Sequence, residues 1–334
     1  MAEDEIVLYH YAYSPYARRI IWYLALRGIP YVQCNQPPVM PRPDVARLGI
    51  GYRRIPILAI GRDIYLDTRL QLQKLEKLDT SAPRLGSASA EHRAIERLLS
   101  NLINDAGIFH WAAALLPASL PLLQDPKFQK DREDFTGAEA KRTPERDARV
   151  QPVALREIAS VFHFLEGTLL ADGREWVLGT PSPGLADIEA VWPLHWLAGV
   201  PGALPGDKFS PEVYPRVYAW IDRFDKAVQE ARRKAGRQGR VKGEEASRSI
   251  VGSGYHDEEV DVDATDFEAV SLGLARGDEV LVGPTDMGSS GKDVGRLVGL
   301  SDEEVVYETR GEDGVVRVHA PRHGFRVRRN GGKL

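Results

Sequence analysis

Ile6-Val7-Leu8-Tyr9 runs into Ser14-Pro15-Tyr16, and Ile55-Pro56-Ile57-Leu58 leads through Gly61-Arg62-Asp63 to Leu66-Asp67-Thr68. These two blocks decide the fold. The first reads as a short apolar strand, a polar turn, and a helix entered through a hydroxyl residue with proline at its first position, where the missing N–H costs nothing. The second reads as two short strands followed by a helix over about 68–78, whose Leu70, Leu72, Leu75 and Leu78 roughly favour one face. A Pro-rich extended crossover lies between. The order is strand, helix, strand, strand, helix.

At 334 residues and 43% hydrophobic, the chain can bury two or three cores. Its single cysteine, Cys34, excludes an internal disulfide framework and points to a reducing compartment. The start, Met1-Ala2-Glu3-Asp4-Glu5, is acidic, and the apolar runs after it are too short for a signal segment or a membrane span. The expectation is a cytoplasmic, soluble protein. A net charge of −4 gives no push toward nucleic acid or membrane as partners.

Charge is uneven along the chain. Residues 226–248 hold eight Lys or Arg against three Glu, and residues 255–286 hold ten Asp or Glu against Arg276 alone, a reversal that marks a boundary. Residues 232–252 are therefore expected to be a basic, solvated linker. Gly236-Arg237-Gln238-Gly239-Arg240 lacks the aromatic residues that would stack bases.

Between these blocks, residues 90–231 read as helical. Ala90 to Leu116 carries Ile95, Leu98, Leu99, Leu102, Ile103 and Ile108 at helical spacing and stops at Pro117. Residues 125–147 are densely charged and read as an excursion between helices. Leu155 to Leu170 is amphipathic, a further helix opens at Leu185-Ala186-Asp187-Ile188, and another runs from about 211 to 231. From about 253 the pattern becomes β-like: 278–282, 304–308 and 315–319 alternate, with Gly or Asp turns between. Residues 253–334 suit a small all-β barrel.

In this order, five features resemble the cytosolic glutathione transferases over about residues 5–230. They are Ser14-Pro15 with Arg18-Arg19-Ile20, Gly28-Ile29-Pro30-Tyr31, the Ile55-Pro56 step, Asp67-Thr68, and Ala186-Asp187-Ile188. The resemblance implies a thioredoxin-like α/β domain at 1–80, an all-helical domain at 90–231, a homodimer, and a cis bond before Pro56. The tail resembles small SH3-like barrels, and a comparable appendage occurs on a fungal-type group of transferase-like proteins.

The resemblance also implies roles. Glutathione, as co-substrate, offers a γ-glutamyl amino-carboxylate, a thiol and a glycyl carboxylate. Asp67 and Thr68 would hold the γ-glutamyl end, with the following helix N-terminus receiving its carboxylate. Ile55, beside Pro56, would pair with the cysteinyl backbone as a strand added in miniature. Either Arg53 or Arg54 would meet the glycyl carboxylate. Ser14 would stabilise the thiolate by donating its hydroxyl at the first helix's N-terminus. Ser14 reads equally as an ordinary N-cap, and Tyr11 is the foremost rival donor among Tyr9, Tyr11, Tyr13 and Tyr16. Where omega-type relatives have a cysteine this chain has Ser14, which cannot form mixed disulfides. Gly184 stands where Ser or Thr usually caps opposite Asp187.

An electrophilic small molecule would then lie against the helical domain, walled by Tyr16, Asn104, Phe109, Trp111, Trp192 and His195. The aromatic residues and His195 also read as interdomain core. In the tail, Pro321 between His319 and His323, with no cysteine nearby, argues against zinc, and no metal is expected. The reading is a glutathione transferase of detoxification or secondary metabolism, or an isomerase or lyase using the same thiolate. The alternative is a non-catalytic scaffold built on the same fold.

Overall fold

The computed structural model describes residues 5–137, 142–288 and 290–331; the acidic start at 1–4 and the last basic residue of the tail, at 333, lie outside them. The N-terminal unit comprises β1 (Ile6–His10), α1 (Pro15–Leu26), β2 (Val32–Asn35), α2 (Pro43–Ala46), β3 (Ile57–Ile60), β4 (Asp63–Tyr65) and α3 (Thr68–Lys77). β1 pairs in parallel with β2 and antiparallel with β3, and β3 pairs antiparallel with β4. β1 and β3 are buried along their whole length and are apolar but for His10 at the end of β1, because both faces are covered, whereas β2 carries Gln33 and Asn35 and β4 opens on the buried Asp63. Ile6, Leu8, Leu58 and Ile60 face α1, α3 and the helical domain, while Val7, Tyr9, Ile57 and Ala59 face the opposite core.

The helical domain holds α4 (Ala90–Asn104), α5 (Ile108–Ala114), α6 (Pro121–Gln124), α7 (Pro126–Thr136), α8 (Pro144–Gly167), α9 (Leu185–Ala198) and α10 (Pro215–Ala235). The single helix expected over 90–116 is two. Gly107, at φ +80°, sits in the left-handed region that a helix cannot pass through, and the chain turns there. The charged stretch at 125–147 contains α7 rather than only a connection. α9 is apolar on all sides and is the central helix, packed by α1, α4, α5 and α10. Gly184 is its N-cap: its N–H donates to Asp187 Oδ2 at 2.9 Å, while Oδ1 accepts from Val177 N and the Trp220 indole.

The stretch expected to be a solvated linker is structured. α10 continues to Ala235, β5 (Gly239–Arg240) adds to β2 in parallel, and α11 (Gly243–Gly252) packs on α2 through Ala246 and Ile250. Its charges lie on outward faces, so composition alone resembled a linker.

After α12 (Phe267–Leu272), the appended strands are β6 (Glu279–Pro284), β7 (Asp293–Leu300), β8 (Glu304–Arg310), β9 (Val315–Pro321) and β10 (Phe325–Arg329). They form an antiparallel meander in the order β10-β6-β7-β8-β9, an appended β domain. It is not a separate bead. β9 pairs in parallel with β4, so one sheet of ten strands runs through both units, and Val280, Leu297, Tyr307, Val316 and Val318 share a core with Val7, Tyr9 and Ile57. At roughly 1.5–3 kcal/mol for each large apolar side chain buried, this shared core couples the two units strongly.

A buried polar seam lines the β4–β9 junction. Asp63 accepts from Arg317 Nη2 at 2.8 Å, from His319 Nε2 at 2.9 Å and from the backbone N–H of His256 and Asp257. Lys74 donates to Glu304 at 2.7 Å and to Asp257. Burial pushes the His319 imidazole down, but hydrogen bonds to Asp63 and Glu304 outweigh it and the net shift is upward. Asp257, Glu304 and His319 place ligand atoms within 4.8 Å of one another, and the Lys74 ammonium supplies the cation between the two carboxylates. His323 is elsewhere, on the surface beside Asp105. No helix among the described residues is long and apolar enough to cross a membrane.

Candidate active site

One cleft lies where α1, the segment before β3, the start of α3 and the α4–α5 corner meet. Tyr11, Ser14, Tyr16, Arg53, Arg54, Ile55, Pro56, Asp67, Thr68, Asn104 and Phe109 all line it. They come from distant parts of the chain, and folding brings them together around one cleft.

Ser14 is the N-cap of α1: its Oγ accepts from Ala17 N at 3.3 Å and its own N–H donates to Tyr11 O at 3.0 Å. The accepting role leaves the hydroxyl proton free to donate. Ser14 is only 2% exposed and lines the cleft. Tyr11 borders the same space with its ring 5.0 Å from Tyr13, so the geometry admits both donors. Tyr9 points into the core beneath the sheet, where burial raises its phenol.

The Ile55–Pro56 bond is cis. The N–H and C=O of Ile55 engage no other main-chain group among the described residues, leaving a short backbone edge on the cleft. Asp67 caps α3 by accepting Arg69 N at 2.9 Å, and adopts φ +62°, a conformation uncommon outside glycine that is kept where the surroundings fix it. Thr68 Oγ1 accepts from Arg19, a fully buried guanidinium that also pairs with Glu189 of α9. With its oxygen so engaged, the Thr68 hydroxyl has its proton to offer outward.

The arginine end of the cleft differs from the sequence reading. Arg53 donates to Asp131 at 3.0 Å and to Asp134, and lies 5.3 Å from the Phe135 ring, so it anchors α7 instead of offering a free cation. Arg54 pairs with Asp286 and with the carbonyl of Met287, both from the turn after β6. Arg42, which the sequence reading missed, is 5% exposed and donates to the carbonyls of Pro37, Pro38 and Arg53. Burial lowers it to about 10, and no carboxylate ion-pairs with it among the described residues. Tyr52, Arg69, Asp105, Arg132, Phe135, Asp286 and Met287 also line the cleft and were likewise missed; Pro15, beside Ser14, completes the lining. The position of Arg42 just before the Pro43 helix start was a local signal, and Arg69 and Asp105 adjoin Thr68 and Asn104 in the chain; the others arrive through tertiary packing.

Three expected wall residues are elsewhere. Trp192 is fully buried behind Phe109 and Tyr16, with centroids 5.0 and 4.7 Å away, because α9 is central. His195, one turn on, faces α10: its Nε2 is 3.0 Å from Asp225, its ring 5.1 Å from Trp22, and burial lowers its pKa. Trp111 packs half-buried against the helical core beside His110. The aromatic wall that remains is Tyr16 edge-on to Phe109, 4.6 Å apart. Cys34 is buried beneath the sheet, where desolvation and then Asp44 push its thiol up to about 12, which removes it as a nucleophile.

The glutathione S-transferase N-terminal domain family matches residues 8–83, and a domain of unknown function (DUF7962) matches residues 111–233. Among solved structures, a GST-like protein from Pseudomonas syringae is 24% identical over 98% of this chain and 100% of its own, with a TM-score of 0.68, so the likeness extends through the appended strands. A β-etherase from Sphingobium is 17% identical over 69% of this chain and 99% of its own, with a TM-score of 0.52. A rice glutathione S-transferase, solved in complex with glutathione, is 20% identical over 75% and 97%, with a TM-score of 0.51. No curated protein matches the chain. At these identities the likeness is one of fold.

Proposed function

We propose, from the premise that this chain has the cytosolic glutathione transferase fold, that it binds glutathione in the cleft and uses the thiolate on an electrophilic small molecule. One observation carries this reading. Ser14 at the head of α1, the free backbone edge at Ile55 and the Asp67–Thr68 pair at the head of α3 converge on a single cleft.

In this reading the γ-glutamyl ammonium meets Asp67, and its carboxylate meets the Thr68 hydroxyl that Arg19 orients from behind. The cysteinyl N–H and C=O pair with Ile55. The glycyl end of the tripeptide lies toward Arg42 and the Arg54–Asp286 pair. Ser14 donates to sulfur, helped by the positive end of α1. A free thiol near ~8.5 is mostly protonated at neutral pH, and lowering it by about two units takes roughly 2.7 kcal/mol of preferential thiolate binding. The thiol proton leaves to solvent, sulfur forms the new bond to the electrophilic carbon, and a leaving group departs with its electron pair. The Tyr16–Phe109 wall suits an aromatic or apolar electrophile. An isomerase or lyase would use the same thiolate.

Calorimetric titration with glutathione, followed by conjugation of an aryl halide, tests the reading. It stands if glutathione binds and conjugation falls in Ser14→Ala. Absence of binding favours the scaffold alternative, for which the engaged arginines Arg53 and Arg54 are the supporting observation.

A further inference from the structure

The appended β domain reaches the cleft. Asp286 and Met287, in the turn after β6, line it together with Arg53 and Arg54. The turn is held against α7: Gly288 N donates to the Phe135 carbonyl at 2.9 Å, and a Cβ on Gly288 would lie 2.5 Å from the Phe135 ring. Gly288 has φ +74°, so the close approach and the conformation both require glycine. Beyond it, Ser290 Oγ is 3.4 Å from Arg53 Nη1. The turn is thus fixed on its α7 side, and its acid faces Arg54.

We propose that Asp286 is a specificity-determining residue of the thiol site, occupying on Arg54 the place that a ligand carboxylate would otherwise take. This rests on the glutathione reading above and deepens it. The Asp286 side chain is 59% exposed and the Arg54 side chain 21% exposed, so the pair sits at the cleft mouth, where an incoming carboxylate competes with it directly. Arg54 also donates to the Met287 carbonyl through Nε at 3.2 Å, which fixes the guanidinium in this orientation. Arg53 is neutralised in the same way by Asp131 and Asp134. Three of the four arginines at this end, Arg53, Arg54 and Arg132, are therefore already paired with acids, and Arg42 is the one whose hydrogen bonds go to carbonyls alone. A thiol with a neutral C-terminal end then loses little relative to one with a carboxylate. The ligand class is a γ-glutamyl thiol whose C-terminal group is weakly discriminated by charge.

The test measures binding of glutathione and of its glycyl monoethyl ester to the full chain and to Asp286→Asn, by calorimetry. The wild type should bind the ester as well as glutathione or better. Asp286→Asn should tighten glutathione by roughly three- to tenfold, the scale of one exposed charge-assisted contact, and leave the ester unchanged. Binding of glutathione by the variant alone would support the proposal in its strongest form. An unchanged ratio of the two thiols in Asp286→Asn, with glutathione bound by both proteins, would overturn the proposal while leaving the glutathione reading intact. Absence of either thiol from both proteins would remove that reading, and the proposal with it.

Discussion

Ile64 of β4 and Val318 of β9 lie side by side in a parallel strand pair, which makes the appended domain an extension of the N-terminal sheet. An edge strand with unpaired N–H and C=O groups invites pairing with another chain. In this protein β9 covers that edge. Removing residues 253–334 should therefore give a chain that aggregates or unfolds at temperatures where the full protein is stable; a monomeric, cooperatively melting fragment in sedimentation and calorimetry would contradict this.

Asp293, at the start of β7, accepts the backbone N–H of Tyr52 at 2.9 Å and of Gly51, and the Tyr307 hydroxyl at 2.7 Å. It thereby fixes the segment leading to Ile55. Burial raises its carboxyl from 3.8 to about 6, more than those hydrogen bonds lower it. The folded value lies above the unfolded one, so the contribution to stability is full below about 3.8 and is lost as pH rises through about 6. At neutral pH the ionised form costs up to about 3 kcal/mol. Asp293→Asn keeps the acceptor for the two N–H groups and should flatten this dependence, gaining on the wild type as pH rises. Denaturant midpoints across that range would show it, and parallel curves for the two proteins would refute it.

Arg19 and Glu189 form a buried pair between α1 and α9. Arg19→Met should destabilise the protein by about 3–5 kcal/mol, because Glu189 is left charged and unpaired in the interior. Adding Glu189→Gln should restore much of that loss. Glutathione affinity should stay reduced in the double variant, since the Thr68 hydroxyl has lost the donor that orients it. A double variant with full affinity would show that Arg19 acts on stability alone.

Ser14→Ala should lower kcat/KM for conjugation by about a hundredfold, the equivalent of a two-unit rise in the bound thiol pKa, and should cost about 1 kcal/mol as a lost helix cap. The pH dependence of thiolate absorbance in the bound complex separates the two effects. If the titration moves in Tyr11→Phe and not in Ser14→Ala, Tyr11 is the donor.

Much of the N-terminal unit was legible locally. Short apolar runs announce the strands, Ser14-Pro15 announces a helix start, and Asp67-Thr68 announces the next one, so Ser14, Ile55, Asp67 and Thr68 stand out in the sequence while Arg42 and Asp286 do not. Two of the three wall residues found elsewhere share one cause. Trp192 and His195 were read from their chemistry, but their surroundings depend on which face α9 turns outward, and α9 turns none. Gly107 carried a local signal that the apolar spacing across it masked.

Residue order alone determined the strand and helix sequence of the first eighty positions, the helical block and the β-rich tail, because each rests on periodicity and capping between near neighbours. Only the tertiary structure decided that β9 closes the β4 edge, that residues 232–252 are ordered against β2 and α2, and that Asp286 faces Arg54. Such contacts join residues far apart in the chain through backbone hydrogen bonds and single charges, and neither leaves a periodic trace in the residues it connects.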